Sequence, residues 1–172
     1  MPRIPALIFL PFALLFTGPS VHAAEIERID LHQREAVQIQ HQRRVGNLRA
    51  QAQRQGWIVR VPQLFVYLSD RSPVFHMDGL RSRFERQLDW AVERSRIERT
   101  TIDLDRLLAN TETHDGGIYG LEDLPEGDLY IVLYRGEDCA DCDAVDATVV
   151  EWLEGLGEVD VVWLDIAMDR VR

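Results

Sequence analysis

Two cysteines, Cys139 and Cys142, stand three positions apart in the run Cys-Ala-Asp-Cys, and the chain has no others. Thiols at this spacing suit disulfide exchange. If the first cysteine ends a loop and a helix starts beside it, unpaired helical N–H groups and the positive dipole end stabilise a thiolate. That thiolate attacks a partner disulfide, and the second thiol, one helical turn on, displaces the partner by closing the ring. On this reading Cys139 is the nucleophile and Cys142 the resolving thiol. The redox-active pair is then its own cofactor, and no other is implied. Glu137, Asp138, Asp141 and Asp143 surround the pair. Their charge opposes thiolate formation, which points to a reducing poise. Three plainer readings stay open. A structural disulfide closing so short a loop restrains the unfolded chain little. A metal site would need two more ligands, since two thiolates are half of a tetrahedral set. The third is a redox-inert coincidence. His32, His41, His76 and His114 are scattered without ligand spacing and read as ordinary surface or loop residues, so no metal is assigned.

The flanking segments supply the elements that would position such a pair. Leu129 to Tyr134 (LYIVLY) reads as a strand buried on both faces. Asp143 to Leu156 reads as a helix with Val145, Val149, Trp152, Leu153 and Leu156 apolar, ending near Gly155 and Gly157. Val159 to Ile166 reads as another strand. The C-x-x-C thus lies between a strand and a helix that leads to a second strand, the setting expected of a redox pair. Upstream, Trp57 to Leu68 reads as a strand with Pro62 in its first half, where proline favours an edge, a strand start or a bulge. Ser72 to Met77 reads as a second strand. Leu80 to Arg99 has helical spacing, with Asp78 as N-cap. Thr100 to Leu104 reads as a short strand, Leu107 and Leu108 as the end of a helical turn, and Asn110 to Gly120 as a loop. Glu25 to Gln55 lacks proline and is rich in Gln, Arg and Ala, so it reads as a largely exposed helix.

The first residues read as a secretory signal peptide: Arg3, an apolar run from Ile4 to Phe16, and Val21-His22-Ala23 as a small-x-small cleavage site. That run is thirteen residues, short of the roughly 20 needed to span a bilayer. Export to an oxidising compartment, most simply a bacterial periplasm, is therefore expected, with no stable membrane span after cleavage. The expected division is a signal peptide at 1–23, an N-terminal helical segment at 24–56 and an α/β domain at 57–172. The net charge is −10 with no lysine at all. Residues 24–100 carry 14 Arg against 10 acidic residues, while residues 101–172 carry 4 Arg against 19. The acidic half argues against nucleic-acid binding, which needs clustered cations. The simplest account of the asymmetry is attraction between the two halves within one domain.

From Leu121 to Ile166 the chain resembles thioredoxin-like proteins, especially the exported TlpA-like branch, through LEDLPEGDLYIVLYRGEDCADC. The end of that run, YRGEDCADC, is also similar to glutaredoxin active-site openings. The resemblance covers about a quarter of the chain. It departs from the family pattern at Asp138, where a Trp often stands, and at Ala140-Asp141, where the inner pair often contains Pro. No proline follows Pro125, whereas the family continues to a cis-proline that faces the cysteines. Val61-Pro62-Gln63-Leu64-Phe65-Val66-Tyr67 looks like that cis-proline strand, followed by a turn, a strand and a helix. The resemblance thus implies a thioredoxin-like central sheet flanked by helices and preceded by an N-terminal helix. Either its segments are circularly permuted, with Pro62 facing the cysteines, or the sheet is shortened and Pro62 marks an edge strand.

The implied function is a periplasmic thiol–disulfide oxidoreductase acting on protein cysteines, served by a redox partner protein. The alternative is a secreted interaction or assembly protein with a structural or vestigial C-x-x-C and a working surface on segment 25–55. A third reading is metal handling through the cysteines and nearby carboxylates.

Overall fold

The computed structural model describes residues 24–34, 61–98 and 102–168. Within them the chain forms a mixed α/β structure. In order the elements are β1 (Glu25–Gln33), β2 (Gln63–Leu68), β3 (Pro73–Asp78), α1 (Glu85–Glu93), α2 (Leu104–Leu108), β4 (Thr111–Glu112), a 3-10 turn (Leu121–Asp123), β5 (Leu129–Gly136), α3 (Ala140–Leu156) and β6 (Asp160–Met168). The strands make one six-stranded sheet in the order β3-β2-β5-β6-β1-β4. Strands β5, β6 and β1 are parallel neighbours, while β2 and β3 continue the sheet antiparallel and β4 closes the far side antiparallel to β1.

The apolar run in β5 explains its central place. Leu129, Ile131 and Leu133 point to one face, where Val145, Val149 and Leu153 of α3 and Phe84, Leu88 and Ala91 on and beside α1 cover them. Tyr130, Val132 and Tyr134 point to the other, against Leu104, Leu107 and Leu108 of α2 and Tyr119 and Leu124. Two buried faces require a strand with no polar alternation, and LYIVLY supplies one. Trp163 of β6 is wholly buried beneath α3. Burying each large side chain of this kind contributes about 1.5–3 kcal/mol. Helix α3 stops at Gly157, whose φ of 83° lies in the left-handed region that glycine enters without a Cβ clash.

Four expectations need correction. Residues Glu25–Gln33 are a strand, not the start of a helix; the rest of the 24–56 segment after Arg34 lies outside the described residues. The strand signal was the alternation Ile29, Leu31, Gln33, of which Leu31 and Gln33 are buried. On that face it is interrupted by the exposed Glu25 and Glu27, and the helix-forming composition downstream masks it. What fixes the strand is non-local pairing, Ile26 with Val161 through to Leu31 with Ile166. The helix expected from Leu80 begins at Glu85, and Asp78 ends β3 instead of capping it. Arg83 at φ 58° cannot sit inside an α-helix, and Leu80 is exposed. Leu104 opens α2 instead of closing a strand, with 99–101 outside the described residues. The loop at 110–120 contains the two-residue strand β4.

Candidate redox site

Strand β5 leaves the sheet at Gly136, and a two-residue turn, Glu137 and Asp138, delivers Cys139 to the position just before α3. Asp138 has φ 58°, a left-handed conformation that Asp tolerates better than most residues. Gly136 sits close to the segment that leads into β2: a Cβ there would lie 3.1 Å from Val61 Cγ2. Cys139 is the N-cap of α3, and its Sγ accepts a hydrogen bond from the Cys142 N–H at 3.2 Å. The Cys139 carbonyl also accepts from the Cys142 and Asp143 N–H groups at 2.9 and 3.3 Å. One first-turn donor, the Cys142 N–H, thus reaches the Cys139 sulfur, where it and the helix N-terminus favour negative charge.

Cys139 and Cys142 are joined by a disulfide. Their surroundings differ. Cys142 is fully buried among the apolar side chains below α3, whereas Cys139 is partly exposed. Cys139 is therefore the more accessible residue of the pair, and Cys142 is shielded from solvent.

Pro62 immediately precedes β2, and the Val61–Pro62 peptide bond is cis. Gln63 pairs with Tyr134 in the β2–β5 ladder. Pro62 therefore enters the sheet beside the last residues of β5, at the end of the sheet from which the cysteine turn emerges.

Of the four acids expected to surround the pair, Glu137, Asp138 and Asp141 are exposed to solvent. Asp143 is exposed too, but it is ion-paired: Arg135 Nη2 donates to Asp143 Oδ1 at 2.6 Å. Arg135 also lies 3.7 Å from Asp146 and 3.6 Å from Asp165. Arg28 of β1 bonds Asp146 at 2.8 Å and Asp165 at 3.1 Å, and its guanidinium carbon is 4.3 Å from the centre of the Trp163 ring. Two arginines and three carboxylates thus form a network beneath the first turns of α3. Asp165 is 7 % exposed. Burial pushes its carboxyl above the ordinary range, against the opposing pull of Trp163, Arg28 and Arg135. This network escaped the sequence reading because its members come from β1, β5, α3 and β6.

The histidines divide. His76 stacks on Phe65 with ring centroids 4.4 Å apart and lies 3.2 Å from Gln63 Oε1. Burial lowers its pKa. His32 and His114, expected to be unrelated, meet: His32 Nε2 is 2.5 Å from His114 Nδ1. His41 lies outside the described residues. No group of three or more metal-ligating side chains is assembled among the described residues, and no described helix is long and apolar enough to cross a membrane. Comparison with known proteins finds no matching family model, curated relative or solved structure.

Proposed function

We propose that the protein is a thiol–disulfide oxidoreductase of thioredoxin-like design, exported to the periplasm, that exchanges electrons with protein cysteines through Cys139 and Cys142. The observation that carries this reading is the asymmetry of the pair. The partly exposed cysteine, Cys139, is the one whose sulfur receives a helix N-terminal hydrogen bond, and the buried cysteine, Cys142, is the one shielded from outside attack. A structural staple needs no such difference, and exchange chemistry does.

In the reducing direction the Cys139 thiolate attacks one sulfur of a client disulfide. A mixed disulfide forms and one client thiolate leaves, taking up a proton. Cys142 then loses its proton and attacks Cys139 Sγ, which closes the ring and releases the second client thiol. The client has gained two electrons and two protons, and the protein ends in the disulfide form seen here. A redox partner protein restores the dithiol by the reverse steps. The uncompensated charges of Glu137, Asp138 and Asp141 disfavour the thiolate and with it a strongly oxidising pair, so the poise is reducing.

The thioredoxin-like reading is circularly permuted. The hairpin β2–β3 and helix α1, which the resemblance places after the C-x-x-C half, come before it here. The β2–β5 pairing, with Pro62 entering beside the end of β5, supports that order. The parallel strand β1 is then the outer neighbour of β6 in the same sheet.

The test is a redox titration of the pair against glutathione or dithiothreitol, with client trapping by a Cys142→Ala variant in the periplasm. Stable mixed disulfides through Cys139 are expected, and a reduction potential near that of reducing thioredoxins. Unchanged biological function when both cysteines are replaced by serine would remove the enzyme reading in favour of an interaction protein.

A further inference from the structure

The far side of the sheet holds a second pair of polar side chains that the redox reading does not use. Strands β1 and β4 pair antiparallel, with His32 opposite Glu112 and Gln33 opposite Thr111. Directly opposed residues in such a ladder project to one face, so the side chains of His32 and Glu112 are neighbours. After Glu112 the chain makes a tight loop. The Thr113 N–H donates to the Gly117 carbonyl at 2.8 Å, the Gly117 N–H donates to Thr113 Oγ1 at 3.0 Å, and the Thr113 hydroxyl donates to the Asp115 carboxylate. Gly116, at φ 84°, makes the turn, and Glu112 bridges Ile118 on the return. This loop presents His114 across from His32.

The two rings meet edge to face, with centroids 4.2 Å apart and planes at 81°. The His32 Nε2 to His114 Nδ1 separation is 2.5 Å, below the ~2.7–3.2 Å of ordinary nitrogen-donor hydrogen bonds. The two imidazole nitrogens are thus in direct hydrogen-bond contact, one donating and the other accepting, and the pair is reachable: His114 is exposed and His32 partly so. A metal ion bound tetrahedrally at about 2.0–2.1 Å from each nitrogen sets them roughly 3.3 Å apart. The rings need only open by a fraction of an ångström to that separation, and a ring on an exposed loop does this by a small side-chain rotation. Glu112 stands opposite His32 in the ladder and two residues before His114, so its carboxylate is the candidate third donor by register, although it is not assembled with the two rings in this structure.

We propose that His32 and His114, completed by Glu112 and water, form a binding site for a divalent transition-metal ion of the Zn²⁺ or Cu²⁺ class. Two imidazoles with one carboxylate select such ions over Mg²⁺ and Ca²⁺, which take oxygen donors. The ligand nitrogens must be unprotonated, so binding weakens in acid. The proposal is independent of the redox reading: β6 and β1 stand between β5, which leads to the cysteines, and β4.

The experiment uses the full chain, untagged and with the Cys139–Cys142 disulfide kept oxidised so that thiolates take no part. Calorimetric titration with ZnSO₄ or CuSO₄ alone should show one equivalent bound in the micromolar range. The Cu²⁺ form should show nitrogen hyperfine structure in its electron paramagnetic resonance spectrum. His114→Ala changes an exposed loop residue and should weaken binding by about tenfold or more, and Glu112→Gln by a smaller factor. His76→Ala should leave affinity unchanged. No binding by the oxidised protein, or equal affinity in His114→Ala, overturns the proposal. Equal affinity in Glu112→Gln overturns the assignment of Glu112.

Discussion

Cys139 and Cys142 meet at the mouth of α3, and His32 and His114 meet where β4 joins β1. The first pair is three residues apart in sequence, the second 82. One turn of helix brings the cysteines together, so their contact survives any rearrangement that leaves α3 intact. The histidines meet only if β1 has already paired with β6 and β4 has folded back on β1. Local chemistry is therefore set by spacing, and distant chemistry by topology. The two should respond to different perturbations.

The largest expected effect separates the cysteines from each other. Replacing Cys139 by serine should reduce disulfide exchange to background, because the attacking sulfur is gone. Cys142→Ala should retain the first attack and stall at the mixed disulfide. A quantitative thiol-exchange assay with mass analysis of trapped adducts distinguishes them. Equal adduct formation by both variants would end the assignment of roles drawn from the burial difference.

Next in size is a break aimed at topology alone. Leu31 is 1 % exposed on β1, one residue before His32. Leu31→Ala should cost about 2–4 kcal/mol in denaturant unfolding, from lost burial and the cavity left behind. It should also loosen the His32–His114 contact while leaving exchange at Cys139 within about twofold of the parent. A large loss of exchange in this variant would show that the two regions are coupled through the sheet.

The same division governs what could be read in the sequence. The strand β5, the helix after it and the strand β6 were legible because each carries its own pattern: an unbroken apolar run, helical spacing, another run. So were the C-x-x-C and its place between strand and helix. The hairpin β2–β3 was legible too, with β3 one residue later than expected and β2 opening only at Gln63, after Pro62, within the expected Trp57 to Leu68. Strand β1 was not, because EIERIDLHQ owes its conformation to Val161 through Ile166, and its exposed face is as charged as that of any solvated helix. The network of Arg28, Arg135, Asp143, Asp146 and Asp165 was invisible for the same reason, and so was the histidine pair. In the sequence Asp143 was one of four acids near the cysteines. In the structure it is held by Arg135, which leaves three to act on them.

A smaller effect tests whether the cysteine pair is a staple at all. Its loop spans a sequence separation of three, and chain-entropy arithmetic for so short a loop gives at most about 2 kcal/mol. Reduction with dithiothreitol should therefore lower the unfolding free energy by no more than that, with the fold retained by circular dichroism. Unfolding on reduction would favour the structural reading over exchange.

The smallest expected effect lies between the two regions, in the charge network that ties β1 to α3. Asp165 is buried on β6 against Arg28 from β1, Arg135 from β5 and, with like charge, Asp146 from α3. Burial raises its carboxyl above the ordinary value of 3.8 despite both arginines. The folded state thus holds this proton more tightly than the unfolded state does. Between 3.8 and the raised folded value, the folded chain binds more protons than the unfolded one, so Asp165's contribution to stability falls as pH rises. It is most favourable below 3.8 and reaches its lower plateau above the folded value. Asp165→Asn removes this dependence, and Arg28 keeps Asp146 while Arg135 keeps Asp143. The variant should therefore gain stability relative to the parent as pH rises through that window, measured as the difference in urea midpoints from acid to neutral pH. A flat difference would mean that the two arginines balance desolvation, and one that moves the other way would mean that they outweigh it and that the network holds β1 to α3 by attraction.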